Sequence, residues 1–211
     1  IFAGAIQDYS RGIVVGQQTF GKGTVQNLYH LDRYSRFQSK KGFGQLTLTI
    51  GKFYRVSGQG TQNKGVIPDI RLPSFIDEEV VGEDTKKNTL SWDQIMSLEY
   101  DSDLTFHQSI EKLKKNFAEK SKENLPLLFL QEDIDQITEQ NKQTKLSLNY
   151  EKRKIKRDQF KKVTLDRRTK RLEELGYGNE NNFNDFASKT LLNEVLNTVV
   201  NLIESKEIES S

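Results

Sequence analysis

Gly16-Gln17-Gln18-Thr19-Phe20-Gly21-Lys22-Gly23-Thr24-Val25-Gln26 adjoins the run Gly12-Ile13-Val14-Val15-Gly16. A β-branched run bounded by glycines reads as a short buried strand. The segment after it comes close to the phosphate-binding loop, in which Gly, four residues, then Gly-Lys-Ser/Thr lead into a helix. That chemistry needs a hydroxyl directly after the Lys to hold Mg²⁺ and a helix N-terminus facing the phosphates. Here Gly23 takes the hydroxyl position, and Thr24-Val25-Gln26-Asn27-Leu28-Tyr29 is better strand than helix. A nucleotide-binding reading therefore stays only as a remote alternative to a plain glycine-flanked turn with a solvated Lys22. A third reading turns Lys22 inward, since glycines on both sides let other backbone pass close. A buried ammonium is destabilised by desolvation, and a neutral Lys can act as general base to a Ser hydroxyl. On an extended segment residues 22, 24 and 26 share a face, so the Gln26 amide could orient Lys22.

Working outward, the first third of the chain is written in strands and turns. Residues 24–31 alternate loosely, and Gln45-Leu46-Thr47-Leu48-Thr49-Ile50 alternates strictly. Lys52-Phe53-Tyr54-Arg55-Val56 is a further strand candidate, ended by Ser57-Gly58-Gln59-Gly60. Eleven of the 14 glycines fall within residues 1–73, as a turn-rich sheet requires. Residues 33–44 form a basic, Gly-containing loop. Ile1, Phe2, Ala5 and Ile6 have the spacing of the middle of a buried helix, and the start has no initiator Met, basic n-region or cleavage site. The chain is therefore expected to be cut from something longer.

After Pro73 the period changes and charge rises. Residues 77–88 read as an acidic-then-basic linker. Leu90-Ser91-Trp92-Asp93-Gln94-Ile95 predicts a short helix with Ser91 as N-cap and Gln94 at capping-box spacing. Phe106, Ile110, Leu113 and Phe117 predict an amphipathic helix over 103–122. Pro126 opens the next, with Leu127, Leu130, Ile134 and Ile137 inward. Residues 146–150 alternate like a strand, 151–175 form a charged helix, and 185–205 close the chain as an amphipathic helix. Phe186, Leu191, Leu192, Val195, Leu196, Val199, Leu202 and Ile203 mark its apolar face. The tail after Ile203 is expected to fray.

Composition narrows the function classes. Hydrophobic residues make up only 34% and mean hydropathy is −0.71, which suits a small core with long solvated helices. The 32 Lys+Arg against 30 Asp+Glu leave no global field to attract nucleic acid or anionic lipid. No Cys is present, so disulfides, thiol nucleophiles and Cys-ligated metals are excluded. The longest apolar stretches, near 12–16, 126–130 and 199–203, fall far short of the ~20 residues that span a bilayer. His30 and His107 lie in different halves without metal-ligand spacing and read as structural or solvated. Residues 151–172 hold eleven Lys/Arg against three acids. Only Phe160 is aromatic there, so a solvated face or an acidic docking partner fits better than a phosphate backbone. Asp69 after Pro68 reads as a turn residue, Asp32 and Asp93 stay ambiguous, and Trp92 reads as a packing anchor joining the halves.

Taken in order, Asp8-Tyr9, Val14-Val15-Gly16 and Thr19-Phe20-Gly21-Lys22-Gly23-Thr24-Val25-Gln26 resemble the catalytic region of carboxy-terminal processing proteases. Lys52-Phe53-Tyr54-Arg55-Val56 and Thr61-Gln62-Asn63-Lys64-Gly65-Val66-Ile67-Pro68-Asp69-Ile70 are similar to the tail-specific branch of that family. Leu90-Ser91-Trp92-Asp93-Gln94-Ile95 and Ser147-Leu148-Asn149-Tyr150 resemble landmarks of its C-terminal extension. The resemblance implies a Ser–Lys endopeptidase, without metal or cofactor, acting on proteins with nonpolar C-terminal tails. It implies Lys22 as general base and Gln26 as its orienting partner. It places the nucleophilic Ser just before the helix in which Ile1 lies, and the tail-binding PDZ domain further upstream, so this chain alone is expected to be inactive. It also implies an α+β fold, with residues 1–73 as the C-terminal part of an α/β protease core and 74–211 as a helical extension. The family implies a periplasmic or envelope location, and the extension could dock an adaptor. An interaction module in 74–211 is the alternative of a different class.

Overall fold

The computed structural model describes residues 1–37, 40–176 and 185–209, with side chains to residue 204. Positions 38 and 39 of the basic loop, and 210 and 211 of the tail, lie outside the described residues. The chain is α+β, with its strands before residue 72 and its long helices after residue 103. It divides into two compact units, Ile1–Arg71 with Glu78–His107, and Leu72–Asp77 with Gln108–Ser211.

The first unit opens with helix α1 (Phe2–Asp8), followed by β1 (Val15–Gly16), β2 (Thr24–His30), a 3-10 turn at Leu31–Arg33, β3 (Gln45–Lys52) and β4 (Ile70–Arg71). β2 and β3 form an antiparallel ribbon with Leu28 opposite Thr47 and a bulge between Val25 and Gln26. β1 pairs in parallel with β4, Val15 against Ile70. The expected strand over 12–16 is thus only two residues long. The Asp69 carboxylate takes over the pairing by accepting from the Val14 amide at 2.9 Å, while the Asp69 amide donates to the Val14 carbonyl. The expected helix at the N-terminus is present, but Ile1 and Phe2 are exposed and its buried member is Gly4. Gly4 lies beneath Arg55, whose guanidinium makes a bidentate pair with Asp8 at 2.6 and 2.9 Å. Both side chains of that pair are largely shielded from water, the setting in which fork geometry matters most.

The strand expected over 52–56 breaks after Lys52. Tyr54 instead bridges to Gly60 in a tight turn-back, with the Gly58 amide donating to the Arg55 carbonyl. Residues 90–95 are not helical. They run extended along this turn: Gln94 bridges to Gln59, the Gly60 amide donates to Asp93 O, and the Ile95 amide to Gly58 O. Trp92 Nε1 donates to the Gly60 carbonyl at 2.7 Å, and the Lys64 ammonium stands 4.8 Å from the centre of its ring. Long-range partners thus satisfy backbone that a single helical turn would have left mostly unpaired, and the capping-box spacing is overridden. Lys52 donates to the Ser91 carbonyl and pairs with Asp93, which accepts from the Tyr54 hydroxyl at 3.2 Å.

In the second unit, α3 (Leu125–Asn141), α4 (Tyr150–Glu174) and α5 (Phe186–Glu209) come after α2 (Leu104–Lys120), whose N-terminal turn belongs to the first unit. Phe106, Ile110 and Leu113 are buried on α2, as their spacing predicts. Asn124 caps α3 by accepting from the Leu127 amide, and Leu127, Phe129 and Leu130 are buried while Ile137 is exposed. Asn149 caps α4 in the same way, so residues 146–149 lead into a helix and are not a strand. The apolar pattern misplaces the inner face of α5. Phe186, Thr190, Glu194 and Thr198 are buried, whereas Leu192, Leu196, Val199 and Ile203 are exposed. Glu194 accepts from Asn124 Nδ2 at 2.8 Å, which explains a carboxylate on that face. The charged helix α4 is not uniformly solvated either. Arg171 is buried, pairs with Asp133 and Glu132 of α3, and donates to the Phe129 carbonyl; Arg167 also reaches Asp133. Among the described residues no helix is long and apolar enough to cross a membrane.

Partial burial, and then the hydrogen bond and charge of Asp93, hold the Tyr54 hydroxyl above its ordinary value; Lys52 opposes them. A raised folded-state value means that the native state keeps its proton longer. The contribution to stability is complete below the unfolded tyrosine value of roughly 10 and is lost as pH climbs through the higher folded one. Difference titration at 295 nm between the wild type and Tyr54→Phe should show this tyrosine ionising above the free-tyrosine range. Asp93→Asn should bring it back down.

Candidate active site

Lys22 sits in a loop held from below by a second loop. The Asn63 amide donates to Gly21 O at 2.8 Å, the Gly23 amide to Gln62 Oε1 at 2.8 Å, and the Phe53 amide to Gly23 O at 3.0 Å. Upstream, Thr19 and Val66 exchange bonds, the Thr19 amide to the Val66 carbonyl and the Val66 amide to Thr19 Oγ1. The glycines are a steric requirement of this contact. A Cβ on Gly21 would lie 2.8 Å from the Asn63 carbonyl oxygen, and one on Gly23 would lie 2.5 Å from the Gln62 amide nitrogen. Gly21 also has φ +89°, a backbone conformation that side chains disfavour. The close passage of backbone expected from the glycines is therefore present, supplied by residues 61–65.

The Lys22 side chain itself does not turn inward: it is 45% exposed. Its Nζ stands 4.0 Å from Oε1 of Glu83, whose side chain is only 8% exposed. Gln62 Nε2 reaches the same carboxylate oxygen at 3.4 Å, and the Glu83 amide donates to Phe20 O at 2.9 Å. Residues 77–88, read as a linker, thus carry a buried acid to the Lys22 loop. Gln26 lies on β2 opposite Thr49, and its Nε2 is 3.5 Å from Thr49 Oγ1. Among the described residues no hydrogen bond joins Gln26 to Lys22. Thr24–His30 is a strand, so no helix N-terminus comes after the loop as a phosphate site would need.

The remaining candidates lie apart. His30 Nδ1 is 3.2 Å from Gln45 Nε2 on the exposed ribbon, and His107 is on α2. Asp32 accepts from the Phe43 amide and closes the basic loop. Among the described residues no three His, Asp or Glu side chains gather as metal ligands. Sequence reasoning missed Gln62 and Glu83. Neither belongs to a periodic pattern, and both act through contacts with segments distant in the chain. Gln62 lies within the 61–70 stretch that carries the family resemblance, but its role, like that of Glu83, shows only in tertiary contact.

Residues 1–72 match Peptidase family S41, and residues 76–207 match the C-terminal domain of tail specific protease. The tail-specific protease of Haemophilus influenzae is 41% identical over 162 residues, which cover 75% of this chain and 23% of that protein. The carboxy-terminal-processing protease of Bartonella bacilliformis is 37% identical over 84 residues, 40% of this chain and 17% of its own length. A probable CtpA-like serine protease of Staphylococcus aureus is 29% identical over 152 residues, 66% of this chain and 29% of its own. The chain spans less than a third of the length of each of these relatives.

Gly23→Ala should destabilise the first unit by about 1–3 kcal/mol, the cost of overpacking against fixed backbone. Urea unfolding measured through the fluorescence of Trp92, the sole tryptophan, reads this directly. A loss below about 0.5 kcal/mol, the range of ordinary surface changes, would show that the loops are not in close contact.

Proposed function

Because the chain belongs to the tail-specific proteases of peptidase family S41, we propose that it forms the last part of a Ser–Lys endopeptidase's catalytic core together with the C-terminal domain. Residues 1–73 supply the core and 74–211 the extension. The observation that carries this reading is a solvent-accessible Lys22 on a loop that two glycines and the buried Gln62 hold in place. Orientation of a base is worth most when the backbone beneath it cannot move.

In this reading the uncharged Lys22 amine takes the proton from a Ser hydroxyl as its oxygen attacks the substrate carbonyl carbon. The tetrahedral intermediate collapses, the C–N bond breaks, and Lys22 returns that proton to the leaving amine. Water then attacks the acyl-serine ester with Lys22 again as base, releasing the acid and restoring Ser. Gln26 accepts a hydrogen bond from Lys22 Nζ in the assembled site. The Ser belongs to the polypeptide ahead of α1, so the chain alone has no nucleophile and no activity. Substrates are proteins with nonpolar C-termini in the cell envelope. The basic groove between the end of α3 and α4 takes an acidic adaptor. That groove has a volume of about 800 Å³, with Tyr150 and Phe160 among Arg153, Lys156 and Arg157.

In the full-length protein, Lys22→Ala should lower kcat by about 10³-fold or more on a nonpolar-tailed peptide, with the fold retained by circular dichroism. Cleavage within tenfold of wild type would refute Lys22 as the base. The purified chain of 211 residues should hydrolyse the same peptide no faster than buffer.

A further inference from the structure

Glu83 is the most deeply buried acid near the Lys22 loop, and the Ser–Lys mechanism does not use it. Four observations define its place. Its carboxylate oxygen Oε1 lies 4.0 Å from Lys22 Nζ and 3.4 Å from Gln62 Nε2. Its Oε2 is buried and receives no hydrogen bond among the described residues, with Lys86 Nζ 4.0 Å away. Its own amide is tied to Phe20 O, two residues before Lys22. Gln62, which orients the carboxylate, also accepts from the Gly23 amide, one residue after Lys22. The acid, the amide that holds it and both shoulders of the lysine loop thus form one closed ring of contacts. A buried acid survives only where something offsets the lost hydration, and here the carboxylate faces the Gln62 amide and the side chains of Lys22 and Lys86.

We infer that Glu83 is a positioning residue for Lys22: it holds the amine in place and stabilises the positive charge that Lys22 gains when it takes the serine proton. This rests on the Ser–Lys reading of the site. The proton moves from Ser Oγ to Lys22 Nζ and on to the leaving nitrogen, and none passes to Glu83. Glu83 would act as the carboxylate of a triad does, orienting the base and stabilising its cationic form without accepting the proton. Glu83 lies within the stretch that matches the tail-specific C-terminal domain. That domain would therefore contribute to the catalytic machinery itself.

Glu83→Gln keeps the shape of the side chain and its contact with Gln62 while removing the charge. Two readouts test the inference. In the 211-residue chain, acetic anhydride labelling read by mass spectrometry should modify Lys22 several-fold faster in Glu83→Gln than in wild type, with Lys64 unchanged as internal reference. In the full-length protein, Glu83→Gln should lower kcat about ten- to hundredfold with KM within twofold, and Glu83→Asp should recover part of the loss. Equal Lys22 labelling in the two chains, or kcat within twofold of wild type in Glu83→Gln, would overturn the inference. If Lys22→Ala itself remained active, the Ser–Lys reading would fall instead. The labelling result would still report whether the two side chains are coupled.

Discussion

Gln62 is 1% exposed, and both ends of its amide are engaged in the same small volume. Its oxygen accepts from the Gly23 amide, and its nitrogen faces Glu83 Oε1 and Asn63 Oδ1. Leaving such an amide unpaired in the interior would cost about 1–3 kcal/mol for each orphaned group. The bonds are therefore obligatory, and they fix how the loop of residues 61–65 lies against the loop of residues 19–23. Gly21 and Gly23 make that distance possible. Lys22, between them, points outward, with its Nζ 4.0 Å from Glu83 Oε1.

The same principle organises the rest of the first unit. Its two ladders are small: two residues of parallel pairing and one antiparallel ribbon. Much of the order comes from side chains substituting for backbone partners. Asp69 extends the β1–β4 pairing, Trp92 satisfies the Gly60 carbonyl, and the Asp8–Arg55 fork fixes α1 to the turn after β3. On the ribbon, Val25, Leu46, Leu48 and Ile50 stay about half exposed, so the apolar side of that alternation is not what stabilises this unit. The second unit obeys the opposite rule for its charges. Arg171 and Arg167 bind α4 to α3 through Asp133, and residues 151–166 of that helix are exposed.

Long, strongly patterned elements were legible in the sequence. The ribbon strands and the buried positions Phe106, Ile110 and Leu113 can be read from period, and the course of α4 from its run of charge. The glycines around Lys22 announced a close approach, though not which segment would make it. The expectations that failed did so for a common reason. Residues 90–95 carry a helix start signal, but the hairpin at 54–60 offers their backbone better partners. Residues 146–149 alternate, yet they pair with no strand among the described residues and lead into the Asn149 cap. The inner face of α5 is polar because Asn124 provides a partner for Glu194. The Glu83–Gln62 arrangement is of the same type, a product of tertiary contact between segments whose local sequence is silent.

Amide hydrogen exchange at Gly23 in the 211-residue chain is the most direct test of the central claim that Gln62 holds the Lys22 loop. Protection well above that of the exposed turn at 33–36 is predicted for the wild type. In Gln62→Leu, which removes the acceptor while keeping bulk, that protection should fall by at least tenfold while the β2–β3 amides stay protected. A Gly23 amide that exchanges as fast as an exposed loop in the wild type, or one left unchanged by Gln62→Leu, would contradict the account.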